Sequence, residues 1–233
     1  MQKLDSRLIT AIKYLRRGKT LADIGTDHAY LPIYAVENGY SASAVASDIN
    51  EGPTERARIN VLANSLTDKI SVVKTDGLNG IDKYEPDDIA IFGMGGELIA
   101  SIINAAPWVK DPKKRLILQP MTCADVLRTY LAENGFKILE ETLSTEGGKL
   151  YVTICCEWTG ENRKIGIAEA ILGEYNIKNA IHSPLFKDLF LRAENAYKIR
   201  LEGKSKAGRD ASFEEEVLAE LASIGKEISN ENH

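Results

Sequence analysis

The 233-residue chain is 44% hydrophobic and 27% charged, a balance that excludes a disordered or collagen-like polypeptide, and it has no apolar run long enough to span a bilayer. A net charge of −5 excludes a protein that coats nucleic acid indiscriminately, although a sum conceals local fields. The length suits one full core with a helical appendage. Cys123, Cys155 and Cys156 are odd in number and lack Cys-x-x-Cys spacing, so neither disulfides nor a metal site is expected. The N-terminal Met-Gln-Lys-Leu-Asp-Ser-Arg puts charges where a secretory signal needs an apolar segment, and a cytoplasmic protein without membrane association is the expectation.

Leu4, Leu8, Ile12 and Leu15 recur at helical spacing, predicting an amphipathic helix that ends near Gly18. Short apolar runs near 20–24, 43–48, 69–74, 88–92 and 115–119, bounded by Gly, Asp or Asn, read as buried parallel strands. Helix-patterned segments near 29–38, 52–64, 97–105 and 124–134 alternate with them, as in a doubly wound sheet. The rhythm then breaks. Residues 136–144 and 149–157 are strand-like and separated by Thr-Glu-Gly-Gly, too short for a crossover helix, so they must pair as a hairpin. Five parallel strands plus an antiparallel pair predict an α/β fold with the seven-stranded Rossmann-like sheet of class I methyltransferases.

After Trp158-Thr159-Gly160 three helical patterns remain, at about 163–179, 185–202 and 213–228. The expected division is a catalytic domain over 1–159 and a helical, coiled-coil-like domain over 160–233. Phe186, Leu189, Phe190, Ala193 and Tyr197 make one apolar stripe, and Phe213, Val217, Leu221, Ile224 and Ile228 another, with Gly203 and Gly208 bracketing the connection. Ser212 and Glu215 have the spacing of a capping box. Basic residues cluster at Lys13, Arg16, Arg17 and Lys19, and again at Lys187, Arg192, Lys198, Arg200, Lys204, Lys206 and Arg209. Such segments could contact RNA phosphates, or merely suit a helix end and a solvated helix face.

The chemistry concentrates at strand ends. Asp23-Ile24-Gly25-Thr26-Asp27-His28-Ala29-Tyr30 puts an Asp at the end of the first strand and Gly25 in the turn before a helix, where open sheets bind nucleotides. Acidic residues there disfavour a pyrophosphate and favour S-adenosylmethionine, which carries an ammonium and a sulfonium. Asp48, followed by Ile49, ends the second strand 23 residues after Gly25, where a carboxylate can accept from both ribose hydroxyls. Asp76 and Gly77 suit an adenine edge. Phe92-Gly93-Met94-Gly95-Gly96 frees the backbone for close approach to a flat ligand. Gln119 either reads a base edge or hydrogen-bonds a loop.

The strings Asp-Ile-Gly-Thr-Asp-His-Ala-Tyr-Leu-Pro (23–32), Gly-Met-Gly-Gly (93–96), Leu-Ile-Leu-Gln-Pro (116–120) and Gly-Lys-Leu-Tyr (148–151) resemble the bacterial tRNA (adenine-N1)-methyltransferases of the TrmK family, which modify position twenty-two in the D-stem/D-loop region. The resemblance implies a monomer with no obligate protein partner, whose helical domain helps to hold tRNA. It carries cofactor roles to Asp23, Gly25, Asp27, Asp48 and Asp76, and places the acceptor beside Gly93–Gly96. From the residues, Thr26, His28, Ile49, Gly77, Gly93 and Met94 complete the expected cofactor shell, Gly95, Gly96 and Gln119 the substrate side, and Asp27 and Tyr30 the catalytic pair. A small-molecule methyltransferase or a non-catalytic S-adenosylmethionine-binding protein would share the cofactor residues.

Overall fold

The computed structural model describes residues 5–229 and divides into two units, Met1–Arg163 and Lys164–His233. The first unit holds seven strands: β1 (Lys19–Ile24), β2 (Ser41–Asp48), β3 (Ile70–Lys74), β4 (Asp88–Gly95), β5 (Arg115–Thr122), β6 (Phe136–Glu146) and β7 (Lys149–Trp158). They form one sheet in the order β3-β2-β1-β4-β5-β7-β6. The first five are parallel, and β7 runs antiparallel between β5 and β6. This is the expected methyltransferase sheet. Its order reverses between β1 and β4, which opens a crevice at their carboxyl ends.

The period of two in a strand sends alternate residues to opposite faces. Ile89, Ile91, Leu116, Leu118 and Cys156 join one core, while Ala90, Ile117 and Cys155 join the other. Burial pushes the Cys155 thiol up to about 12 and raises Cys156 as well, so neither behaves as a nucleophile. Helices α1 (Ser6–Tyr14), α2 (Tyr30–Glu37), α3 (Glu51–Ala63), α4 (Gly96–Asn104) and α5 (Ala124–Glu133) flank the sheet. The strand expected at 88–92 runs further. β4 continues to Gly95 with Gly93 unpaired between Phe92↔Gln119 and Met94↔Pro120, a bulge made possible by its φ of 77°.

Helix α1 begins where Asp5 accepts the Leu8 amide at 2.8 Å and stops at the extended Leu15, short of the expected end near Gly18. It is fastened to the β6–β7 hairpin by Ser6 Oγ donating to the Thr145 carbonyl (2.8 Å), a Thr10–Thr153 hydroxyl pair (2.6 Å) and a Tyr14–Thr142 pair (2.5 Å). Arg16 donates to the buried Asp88 carboxylate and to the Asp87 and Lys113 carbonyls. Lys13 pairs with Glu140 and Lys19 with Asp87. Three of the four cations of the N-terminal cluster thus have acidic partners, leaving Arg17 above the Tyr40 ring.

The second unit contains α6 (Ile167–Leu172), α7 (Glu174–Ala180), α8 (Pro184–Lys206) and α9 (Ser212–Ser229). The single helix expected at 163–179 is broken at Gly173, whose φ of 88° and ψ of 124° lie outside the helical region. Ser183 caps α8 by accepting the Phe186 amide, with Pro184 in the first turn. Phe186, Phe190 and Tyr197 are buried with Val217, Leu221 and Ile224. Gly225 lies so close to Phe190 that an added methyl would sit 3.0 Å from the ring. Phe213 departs from the predicted stripe: it is half exposed and meets Tyr197 edge-on. Ser212 is the first residue of α9 rather than its cap: its amide donates to Asp210 Oδ1 (3.0 Å), and the Glu215 amide, expected to pair with Ser212, donates to the Ala211 carbonyl. Three of the six cations of α8 have helical neighbours as partners: Arg192 with Asp188, Lys198 with Glu194, Lys206 with Glu202. Lys204 pairs with Glu214 of α9.

Candidate active site

The carboxyl ends of β1 and β4 border a cavity of about 300 Å³. Of the residues expected to bind, it is lined by Asp23, Gly25, Thr26, Asp27, His28, Tyr30, Gly93 and Gln119. The loop after β1 is held to β2, with the Gly25 and Thr26 amides both donating to the Ser47 carbonyl at 2.8 and 2.9 Å. Gly25 has a φ of 79°, a conformation that favours glycine, and its open side is covered by the flexible end of Met94. Ala29, at a φ of 56°, occupies the left-handed region that alanine avoids. The Thr26 hydroxyl holds it there by accepting the Ala29 amide at 3.1 Å.

The charges in this loop differ in kind. Asp23 is 6% exposed and has no cationic partner among the described residues. Burial raises its carboxyl to about 6, partly offset by the Thr26 hydroxyl. Asp27 is exposed and forms an ion pair with Arg56 of α3, while its second oxygen lies 3.2 Å from His28 Nε2. The His28 and Tyr30 rings stack at 4.9 Å and 8°. Asn60 of α3 fixes the His28 carbonyl at 3.0 Å. Gln119, fully buried, accepts the Gly93 amide at 3.3 Å and donates to the Pro120 carbonyl at 3.2 Å. Its side chain therefore steadies the β4 bulge.

Other expected residues lie outside this cavity. Asp48 Oδ1 accepts both the Asn50 amide (2.7 Å) and the Asn50 side chain (3.1 Å); the neighbouring Ile49 is exposed. Asp76 and Gly77 line a separate depression of about 370 Å³ beside Leu98 and Ile102 of α4. Met94 packs at Gly25, and Gly95 precedes α4 as its cap. Gly96 is buried where a Cβ would overlap the Cys123 carbonyl, which explains its glycine by packing alone.

Sequence reasoning missed Asp5, the cap of α1, and Arg7 in its first turn, which line the cavity, and Arg56. Arg56 is 29 residues from Asp27 in sequence, and nothing local links the two. Arg7 sits off the Leu8–Ile12–Leu15 stripe, the one clue that it faces elsewhere than the core.

A buried carboxylate with no cationic partner among the described residues, beside a glycine turn, fits a flat ligand bearing positive charge. The methyltransferase domain family model matches residues 4–154. The chain belongs to that family. It is 43% identical over 155 residues to the tRNA (adenine(22)-N(1))-methyltransferase of Bacillus subtilis (strain 168), an alignment covering 66% of this chain and 65% of that protein, just under two thirds of the relative's length. The crystal structure of the B. subtilis M1A22 tRNA methyltransferase TrmK shares 34% identity and a TM-score of 0.84, covering 98% of this chain and 99% of that one. A candidate tRNA (m1A22) methyltransferase of Streptococcus pneumoniae, solved in complex with S-adenosyl-L-methionine, shares 32% identity and a TM-score of 0.82 over 94% and 99% of the two chains. The last two likenesses extend through the helical unit as well as the methyltransferase domain.

Proposed function

We propose that this protein transfers a methyl group from S-adenosylmethionine to N1 of an adenine in the D-stem/D-loop region of tRNA, acting as a monomer in the cytoplasm. The observation that carries the reading is the buried, cation-free Asp23 at the switch point of a chain that matches the B. subtilis m1A22 enzyme over nearly its whole length. In this reading Asp23 attracts the positive charge of the cofactor, and the Gly25 turn allows close approach. Asp48 accepts from the ribose through the oxygen that Asn50 leaves open, and Asp76 with Gly77 meets the adenine of the cofactor. S-adenosylmethionine supplies a methyl group on a sulfonium, the leaving sulfur becoming neutral.

Adenine N1 has an available lone pair, so no residue must first remove a proton. The residues of this chain orient the base and stabilise the positive charge that arrives on it. Tyr30, backed by the His28 ring, offers a face on which the adenine can stack, and Asp27 lies on the same loop to attract a cationic base. Because N1 belongs to the Watson–Crick edge, the target must leave its local pairing to react. The helical unit contributes phosphate contacts through cations that have no acidic partner among the described residues, Lys187, Arg200 and Arg209. Incubation with unmodified tRNA followed by nucleoside mapping tests the reading: N1-methyladenosine at position 22 supports it, and any other methylated product refutes it.

A further inference from the structure

Arg7 lines the cavity with a polar group that the fold leaves unmatched. Its Nη2 donates to Asp5 Oδ2 at 2.6 Å, and its guanidinium carbon lies 5.3 Å from the centre of the Tyr151 ring. Nε is buried and has no hydrogen-bond acceptor among the described residues. A buried donor left unmatched is costly and rare. The side chain is nonetheless firmly mounted, because Asp5 also caps α1 and Ser6 is tied to the β6–β7 hairpin. The same cavity therefore has an unpaired carboxylate, Asp23, and an under-used guanidinium, Arg7, within about 300 Å³.

We propose that Arg7 anchors an oxyanion in this cavity, and that the oxyanion is the α-carboxylate of the amino-acid end of S-adenosylmethionine. The amino-acid end of that cofactor carries an ammonium and a carboxylate on one carbon; the cavity offers Asp23 to the first and Arg7 to the second, its other carboxylates, Asp5 and Asp27, being paired with Arg7 and Arg56. A guanidinium can present two parallel donors to a carboxylate. The same donors would fit a phosphodiester of tRNA, the second source of this chemistry. They do not suit the edge of the target base, because methyl transfer leaves that base positively charged and a cation there would oppose the reaction. The inference rests on S-adenosylmethionine being the cofactor.

The test is titration calorimetry of the full-length protein with S-adenosylmethionine and with 5′-methylthioadenosine, which keeps the adenosine and the sulfur but has no amino-acid end. Arg7→Met is expected to weaken S-adenosylmethionine roughly tenfold or more and to leave 5′-methylthioadenosine unchanged, the latter serving as the check on folding. Arg7→Lys should recover part of the loss, since it restores charge without the fork. Equal loss for both ligands, or none for either, overturns the proposal. A higher KM for tRNA with unchanged S-adenosylmethionine affinity overturns the carboxylate assignment and gives Arg7 to a phosphate. Wild-type protein that binds neither ligand overturns the cofactor reading itself.

Discussion

Replacing Asp23 by Asn should make the empty protein more stable and the ligand-binding protein worse. The carboxyl is raised from 3.8 to about 6 by burial, so the folded state holds its proton more tightly than the unfolded chain does. Its contribution is fully favourable below 3.8, is lost as pH rises from there to 6, and becomes a constant penalty above 6. That interval corresponds to about 3 kcal/mol. Asn keeps the shape and can still accept from Thr26, yet carries no charge. Urea unfolding followed by tryptophan fluorescence isolates the relevant unit, because Trp108 and Trp158 both belong to it. At pH 8 Asp23→Asn should exceed the wild type by up to about 3 kcal/mol, and the gap should close as pH falls from 6 toward 4. The same variant should bind S-adenosylmethionine at least roughly tenfold more weakly, since it loses the charge that meets the ligand. A variant that is less stable than wild type, or a gap that ignores pH, would refute the claim that this carboxylate is buried without a partner.

Asp48→Ala should reduce S-adenosylmethionine affinity roughly tenfold while leaving the fold intact, and calorimetry showing unchanged affinity removes the ribose assignment. Gly96→Ala should destabilise by about 2 kcal/mol or more, because its methyl group overlaps the Cys123 backbone; an unfolding midpoint equal to wild type contradicts that packing. Reversing Lys187 and Arg209 to Glu should weaken tRNA binding and lower its salt dependence by about one unit per lost contact. The same change at Lys198 and Lys206, which already have acidic partners, should matter less, and equal effects in a filter-binding salt series would show that pairing does not sort these cations.

The sheet was legible because alternation, strand length and the missing crossover between residues 144 and 149 are local features, and each has one simple structural solution. The loop from Asp23 to Tyr30 was legible for the same reason, as a strand end, a glycine and a helix start. What escaped was non-local. Arg56 reaches Asp27 from another helix, so a loop that reads as two free carboxylates contains one paired exposed group and one buried unpaired group. Arg7 enters the cavity because α1 is fastened to a hairpin nearly 140 residues later in the chain, and no spacing rule reports that. Charge counts misled in the N-terminal cluster, where Arg16 proved to be a structural bridge to Asp88. Gly96 carries a second constraint that the sequence does not report: the Cys123 carbonyl behind it leaves no room for a Cβ.

The central claim joins a cofactor cavity to one nucleotide of a structured RNA, and a pair of substrates tests it most directly. Purified full-length protein is incubated with labelled S-adenosylmethionine and either an unmodified tRNA bearing adenine at position 22 or the same tRNA with guanine there. The account predicts label in N1-methyladenosine from the first tRNA and none from the second. Equal labelling of both, or labelling of neither by a protein that binds the cofactor, would contradict it.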